Sequence, residues 1–158
     1  MFIAGPTRKS IKDFIIIVKK YNGLLFYWLP VFIHCLLIYI QSSRPFPVSI
    51  PDIDYIDKAF HFLTYSVLGA LFFRAMGHIH SDNRISRRVL LAIIFSSLYG
   101  ISDEIHQYFV PGRMADPFDA AADILGSICG AFIYRYFVQR YDSAYPYHSH
   151  IDKIKNFL

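Results

Sequence analysis

Apolar residues along the chain gather into four runs, each long enough for a helix and bounded by polar or charged segments. The first, Leu24 to Ile40, is nearly unbroken and carries Tyr27, Trp28 and Tyr39, aromatic residues suited to membrane interfaces. The second covers roughly Asp57 to Met76, the third Arg88 to Val110, and the fourth Asp119 to Phe137. The third turns polar in its last two turns. In the second and third runs the uninterrupted apolar stretch falls short of the ~18 residues expected of a lone membrane span. They can cross only if their polar ends face protein or a wet cavity. The pattern predicts an all-α fold: an integral membrane bundle of four transmembrane helices running up and down.

Three regions follow. Residues 1–23 form a basic N-terminal segment, in which IKDFIIIVKK (residues 11–20) has the composition of an interfacial amphipathic helix. Residues 24–137 form the membrane domain. Residues 138–158 form a polar tail, expected to be cytoplasmic and loosely ordered. No internal repeat or low-complexity tract is present.

Composition agrees with a bilayer as the solvent. Of 158 residues, 54% are hydrophobic, and the mean hydropathy is +0.33. A soluble domain of this size could not bury so much apolar surface. The net charge is +4, but the basic residues are segregated along the chain instead of forming one patch, which argues against nucleic acid. Arg8, Lys9, Lys12, Lys19 and Lys20 precede the first span. Arg74 at the end of the second, Arg84 and Arg87 in the loop and Arg88 at the start of the third form a second group, and Arg135 at the end of the fourth, with Arg140, Lys153 and Lys155 after it, forms a third. The other side holds Arg44, Lys58 and Arg113. The positive-inside rule then predicts a protein of the cell (inner) membrane with both termini cytoplasmic. Lys19 and Lys20 precede the first apolar run and no small-residue cleavage site follows it, so no cleavable signal peptide is expected. Cys35 and Cys129 each lie inside an apolar run and read as small buried hydrophobes.

Against this background the segment YGISDEIHQYFVPGRMADPFDAAAD (Tyr99 to Asp123) is anomalous, since it concentrates carboxylates between two apolar runs. Asp103, His106 and Gln107 share a helix face, and Glu104 stands one turn before Gln107. Asp103 and Glu104 repel each other as neighbours, the usual setting for a general acid or base. Pro111 and Gly112 predict a tight reversal that returns Arg113 over the helix ends. Its planar fork suits carboxylate or phosphate. Asp116 followed by Pro117 predicts a capped helix start, with Asp119 completing a capping-box-like arrangement. Asp123 lies one turn deeper on the same face, which Gly126 and Gly130 continue. Asp119 and Asp123 could bind a divalent cation (Mg²⁺ or Ca²⁺) through oxygen, or accept bonds from Arg113, Lys58 or His61. On the second helix, Asp57, His61 and Tyr65 share a face, and Lys58 and His61 are one turn apart. His61 reads either as a satisfied structural histidine or as one titrating at the mouth of a site.

At these residues the chain resembles the VanZ-like family of small bacterial membrane proteins. The resemblance rests on DKAFHFLTYSVLGAL (Asp57 to Leu71), LYGISDEIHQYFVPGR (Leu98 to Arg113) and DPFDAAADILGSICG (Asp116 to Gly130), with QSSRP after the first span. It covers about residues 24 to 137. Asp123 is a departure, because many members carry Asn there. The family takes its name from a protein linked to teicoplanin resistance, so the resemblance implies a role in the cell envelope. It also implies a site at Glu104, Gln107, Arg113 and Asp119, with His61 and Asp123 beside them, in a wider group of membrane proteins acting on lipid headgroups.

Three functions compete. The first is an enzyme acting from the outer leaflet on phosphate-bearing lipid headgroups or lipid-linked precursors. Glu104, His61 or Asp103 would move protons, and Arg113, Gln107, Lys58, Tyr65, Asp119 and Asp123 would bind substrate. The second is a non-catalytic binder using the same pocket, and the third a scaffold whose charges fix helix register. Known signatures do not decide between them. The glycine of the CDP-alcohol phosphotransferase signature is replaced by Ala115, and no Pro-Ser-Gly-His, H-E-x-x-H, G-x-S-x-G or phosphate-loop motif occurs. His34, His78, His80, His148 and His150 are given no functional role. Oligomeric state is left open by the sequence.

Overall fold

The structure, a computed structural model, describes residues 8–44, 56–79 and 85–144, with side chains over 23–44, 56–77 and 85–140. The described residues form four helices: α1 (Arg8–Ser42), α2 (Ile56–Ile79), α3 (Ile85–Tyr108) and α4 (Pro117–Ala144). Each contains a stretch long and apolar enough to cross a membrane: Gly23–Ser42, Ile56–Gly77, Ile85–Tyr108 and Pro117–Arg140. Residues 8–22 continue α1 without a break. The amphipathic reading of residues 11–20 depends on side chains outside the described residues, as do those of His78 and His80 and the tail beyond residue 144.

α2 is the centre of the bundle and touches the other three helices, most extensively α4. The α2–α4 seam is made of backbone. A Cβ on Gly126 would overlap the Phe62 carbonyl, one on Gly130 the Ser66 carbonyl, and one on Gly69 the Ser127 carbonyl. Only glycine lets the two helices approach so closely. Ser96 Oγ donates to Ser127 Oγ (2.7 Å), and Ser127 donates to the Asp123 carbonyl, which ties α3 to the same seam. α1 is peripheral and packs on α2 and α3. Its outer face, including Phe26, Phe32, Leu36 and Leu37, is exposed, as lipid contact requires. Most of the buried apolar core, including Leu68, Phe72, Phe73, Ala75, Met76 and Val89, lies away from the carboxylates, while its members Ile38 and Tyr65 reach the polar end.

α3 ends at Tyr108, two residues earlier than the apolar pattern predicts. The residue before a proline avoids the helical region, and Pro111 exerts that restriction on Val110. The chain unwinds through Phe109 N–H to His106 O and Val110 N–H to Gln107 O (both 3.0 Å). Arg113 N–H then bonds Val110 O (3.1 Å), closing a turn in which Gly112 adopts a φ of 81°. A proline followed by a residue at positive φ is the pattern of a type II turn.

Candidate functional site

The polar groups meet at one end of the bundle, where α1 and α3 finish and α2 and α4 begin. Asp116 organises the start of α4. Its Oδ1 accepts the Phe118 N–H (2.9 Å) and its carbonyl accepts the Asp119 N–H (2.9 Å), so it caps the helix. The capping-box expectation for Asp119 is corrected: the Asp116 N–H donates to Glu104 Oε2 instead (3.0 Å). Asp119 is drawn to Lys58, whose ammonium bridges Asp116 Oδ2 (2.7 Å) and Asp119 Oδ1 (2.9 Å). The Lys58 ammonium and the Phe118 N–H together hold the Asp116 carboxyl below the usual aspartate value.

Behind this bridge lies a buried cluster. His61 Nδ1–H donates to Asp123 Oδ1 (3.0 Å), and the same nitrogen stands 3.8 Å from Glu104 Oε1. Asp123 is wholly buried and Glu104 is 6% exposed. Glu104 Oε1, Asp123 Oδ2 and the Tyr65 hydroxyl have no hydrogen-bond partner among the described residues. Gly100 makes room for this packing, because a Cβ there would lie 2.8 Å from Asp123 Cβ and 2.9 Å from its Oδ2. A second polar group closes the floor. Gln107 Nε2 donates to Asp103 Oδ2 (3.1 Å) and to Ser42 Oγ (2.9 Å).

In front of the cluster a small, open cleft lies between α1, α2 and α3. His61, Tyr65, Asp103, Gln107 and Arg113 line it, with Asp57 from α2 and Gln41 and Ser42 from α1. The Arg113 guanidinium donates to the Gln41 carbonyl (3.2 Å), so the loop after α3 reaches back to α1. His61 therefore has two faces. Nδ1 points to buried carboxylates, and Nε2 lies 3.9 Å from Asp57 on the cleft side.

A family profile described as VanZ/LLP1 matches residues 6–138. The chain belongs to the VanZ/LLP1 family. Comparison with curated proteins and with solved structures gave no match.

Set against the residues that the resemblance assigns to the VanZ site, the structure makes a division. Gln107 and Arg113 are on the cleft wall, as are His61, Asp103 and Tyr65. Glu104, Asp119 and Asp123 stand behind the wall, close to His61, and Lys58 is held by Asp119 outside the cleft lining. Among the described residues two groups could hold a metal ion, each with ligand atoms within 4.8 Å of one another: His61, Glu104 and Asp123, or Asp57, His61 and Asp119. His34 is structural, donating Nε2–H to the Thr64 carbonyl (3.0 Å). Sequence reasoning missed Gln41, Ser42 and Gly100. The polar QSS at the end of an apolar run was a signal for the first two, and a glycine one turn before two carboxylates for the third.

Proposed function

We propose that this VanZ/LLP1 protein acts from the outer leaflet on phosphate-bearing headgroups, either of phospholipids or of lipid-linked cell-wall precursors. One observation carries the reading. The imidazole of His61 sits on the wall of a cleft at one end of the bundle, backed by buried carboxylates, with Arg113 on the same wall. A histidine held by a buried carboxylate on one nitrogen presents the other for proton transfer. Arg113 supplies a fork for the phosphate, and Gln107 and Asp103 supply hydrogen bonds to the rest of the headgroup. Lys58, committed to Asp116 and Asp119, holds α4 in place. α1, which supplies one wall of the cleft, is the peripheral helix of the bundle, and a ligand with a lipid tail would approach past it. A link to teicoplanin susceptibility would then be indirect, through the pool of envelope lipids or precursors.

The test is comparative lipid mass spectrometry on cells carrying wild type, His61→Gln or Glu104→Gln at matched membrane levels. A headgroup change seen with wild type and lost in both variants is expected. Identical profiles in all three would end the enzyme reading in favour of a non-catalytic binder, which a headgroup-binding assay would then address.

A further inference from the structure

We propose that His61, Glu104 and Asp123 form a binding site for one divalent transition ion of the manganese–zinc class. The geometry comes first. Ligand atoms about 2.1 Å from such an ion stand roughly 3.0 to 3.5 Å apart in octahedral or tetrahedral arrangements. His61 Nδ1 is 3.0 Å from Asp123 Oδ1 and 3.8 Å from Glu104 Oε1, and the ligand atoms of all three residues lie within 4.8 Å of one another, so an ion that displaces the Nδ1 proton would draw the two carboxylates inwards.

The second observation is independent of spacing. Glu104 is more than nine-tenths buried, and its Oε1, the oxygen facing His61 Nδ1, has no hydrogen-bond partner among the described residues; Asp123 is wholly buried beside it. Buried polar atoms are rarely left so, and such an oxygen calls for a partner, an ordered water or an ion. A cation supplies it and offsets two buried negative charges as well.

Chemistry narrows the ion and the place. An imidazole nitrogen among carboxylates suits manganese or zinc better than magnesium or calcium, which prefer all-oxygen shells. The alternative group of Asp57, His61 and Asp119 is disfavoured because Asp119 Oδ1 already holds the Lys58 ammonium at 2.9 Å. Asp57 Oδ1 lies 3.9 Å from His61 Nε2, where it orients the ring from the far side. A metal-bound histidine commonly turns its other nitrogen towards such a carboxylate. This site does not rest on the headgroup reading, since the ion is held by the protein with no lipid present.

The test uses the whole chain, purified in detergent and stripped with a chelator. Mn²⁺ is titrated and followed by loss of the free-ion paramagnetic resonance signal, with Zn²⁺ followed by calorimetry. One ion per chain is expected, with echo modulation from a histidine nitrogen on bound Mn²⁺. Glu104→Gln and Asp123→Asn should each weaken binding roughly tenfold or more, while Asp119→Asn should bind like wild type. Wild type that binds neither ion, or binds Mn²⁺ without nitrogen coupling, overturns the site without recourse to any variant. Equal loss in Asp119→Asn and Asp123→Asn overturns it in favour of the outer group. Because no lipid enters the assay, its result stands apart from the headgroup test.

Discussion

α4 and α1 meet the central helix in opposite ways. The α2–α4 seam is backbone against backbone through Gly69, Gly126 and Gly130, fastened at its polar end by Lys58–Asp119 and His61–Asp123. α1 presents side chains to α2 and α3, and its polar ties are single bonds such as Tyr99 Oη–H to the Cys35 carbonyl (2.7 Å). In a bilayer, where lipid tails are as apolar as the helix surface, close approach and polar fastening determine which helices hold together. The first pair is therefore the rigid frame of the site. The second supplies one wall of the cleft and can yield without disturbing the cluster behind.

Breaking the frame should cost most. Gly130→Leu drives a side chain into the Ser66 carbonyl, and the expected outcome is loss of monodisperse protein on gel filtration in detergent. Lys58→Met should come next. It leaves Asp119, only 4% exposed, without its cation. Because Lys58 is itself partly exposed, the cost should fall near 2 kcal/mol, between that of a surface pair and that of a fully buried one. Thermal unfolding of the variant should show it, and Lys58→Met combined with Asp119→Asn should recover part of the loss. The smallest effect belongs to α1. Ser42→Ala removes one of two acceptors of the Gln107 amide and should cost about 0.5–1 kcal/mol. A Ser42→Ala loss equal to that of Lys58→Met would erase the distinction between frame and wall.

The four helices were legible because apolar runs of this length leave few alternatives in water or lipid. The α2–α4 seam was legible in part. Gly126 and Gly130 lie on the face that carries Asp119 and Asp123, and burial of both carboxylates follows from that register. Lys58 and His61 were among the partners expected for them. What sequence did not give was the pairing across long separations. Nothing local to Ser42 shows that it faces Gln107, and nothing local to Gln41 shows that its carbonyl meets Arg113. The bond from the Asp116 N–H to Glu104 depends on the path of the Val110–Arg113 turn, which the motif implies without fixing where it returns. For the same reason Glu104 looked like a cleft residue, whereas the turn of α3 puts Asp103 on the cleft and Glu104 behind it.

The seam that organises the site joins helices that are not neighbours in the chain. Lys58 and His61 are 61 and 62 residues ahead of Asp119 and Asp123. At bacterial and eukaryotic elongation rates this separates their synthesis by about 3 to 12 s. During that interval a lysine and a histidine near the start of α2 wait for their carboxylates while α3 is still being made. The order of translation thus sets a pause between membrane insertion and closure of the bundle, and shortening that pause is something neither helix can do alone.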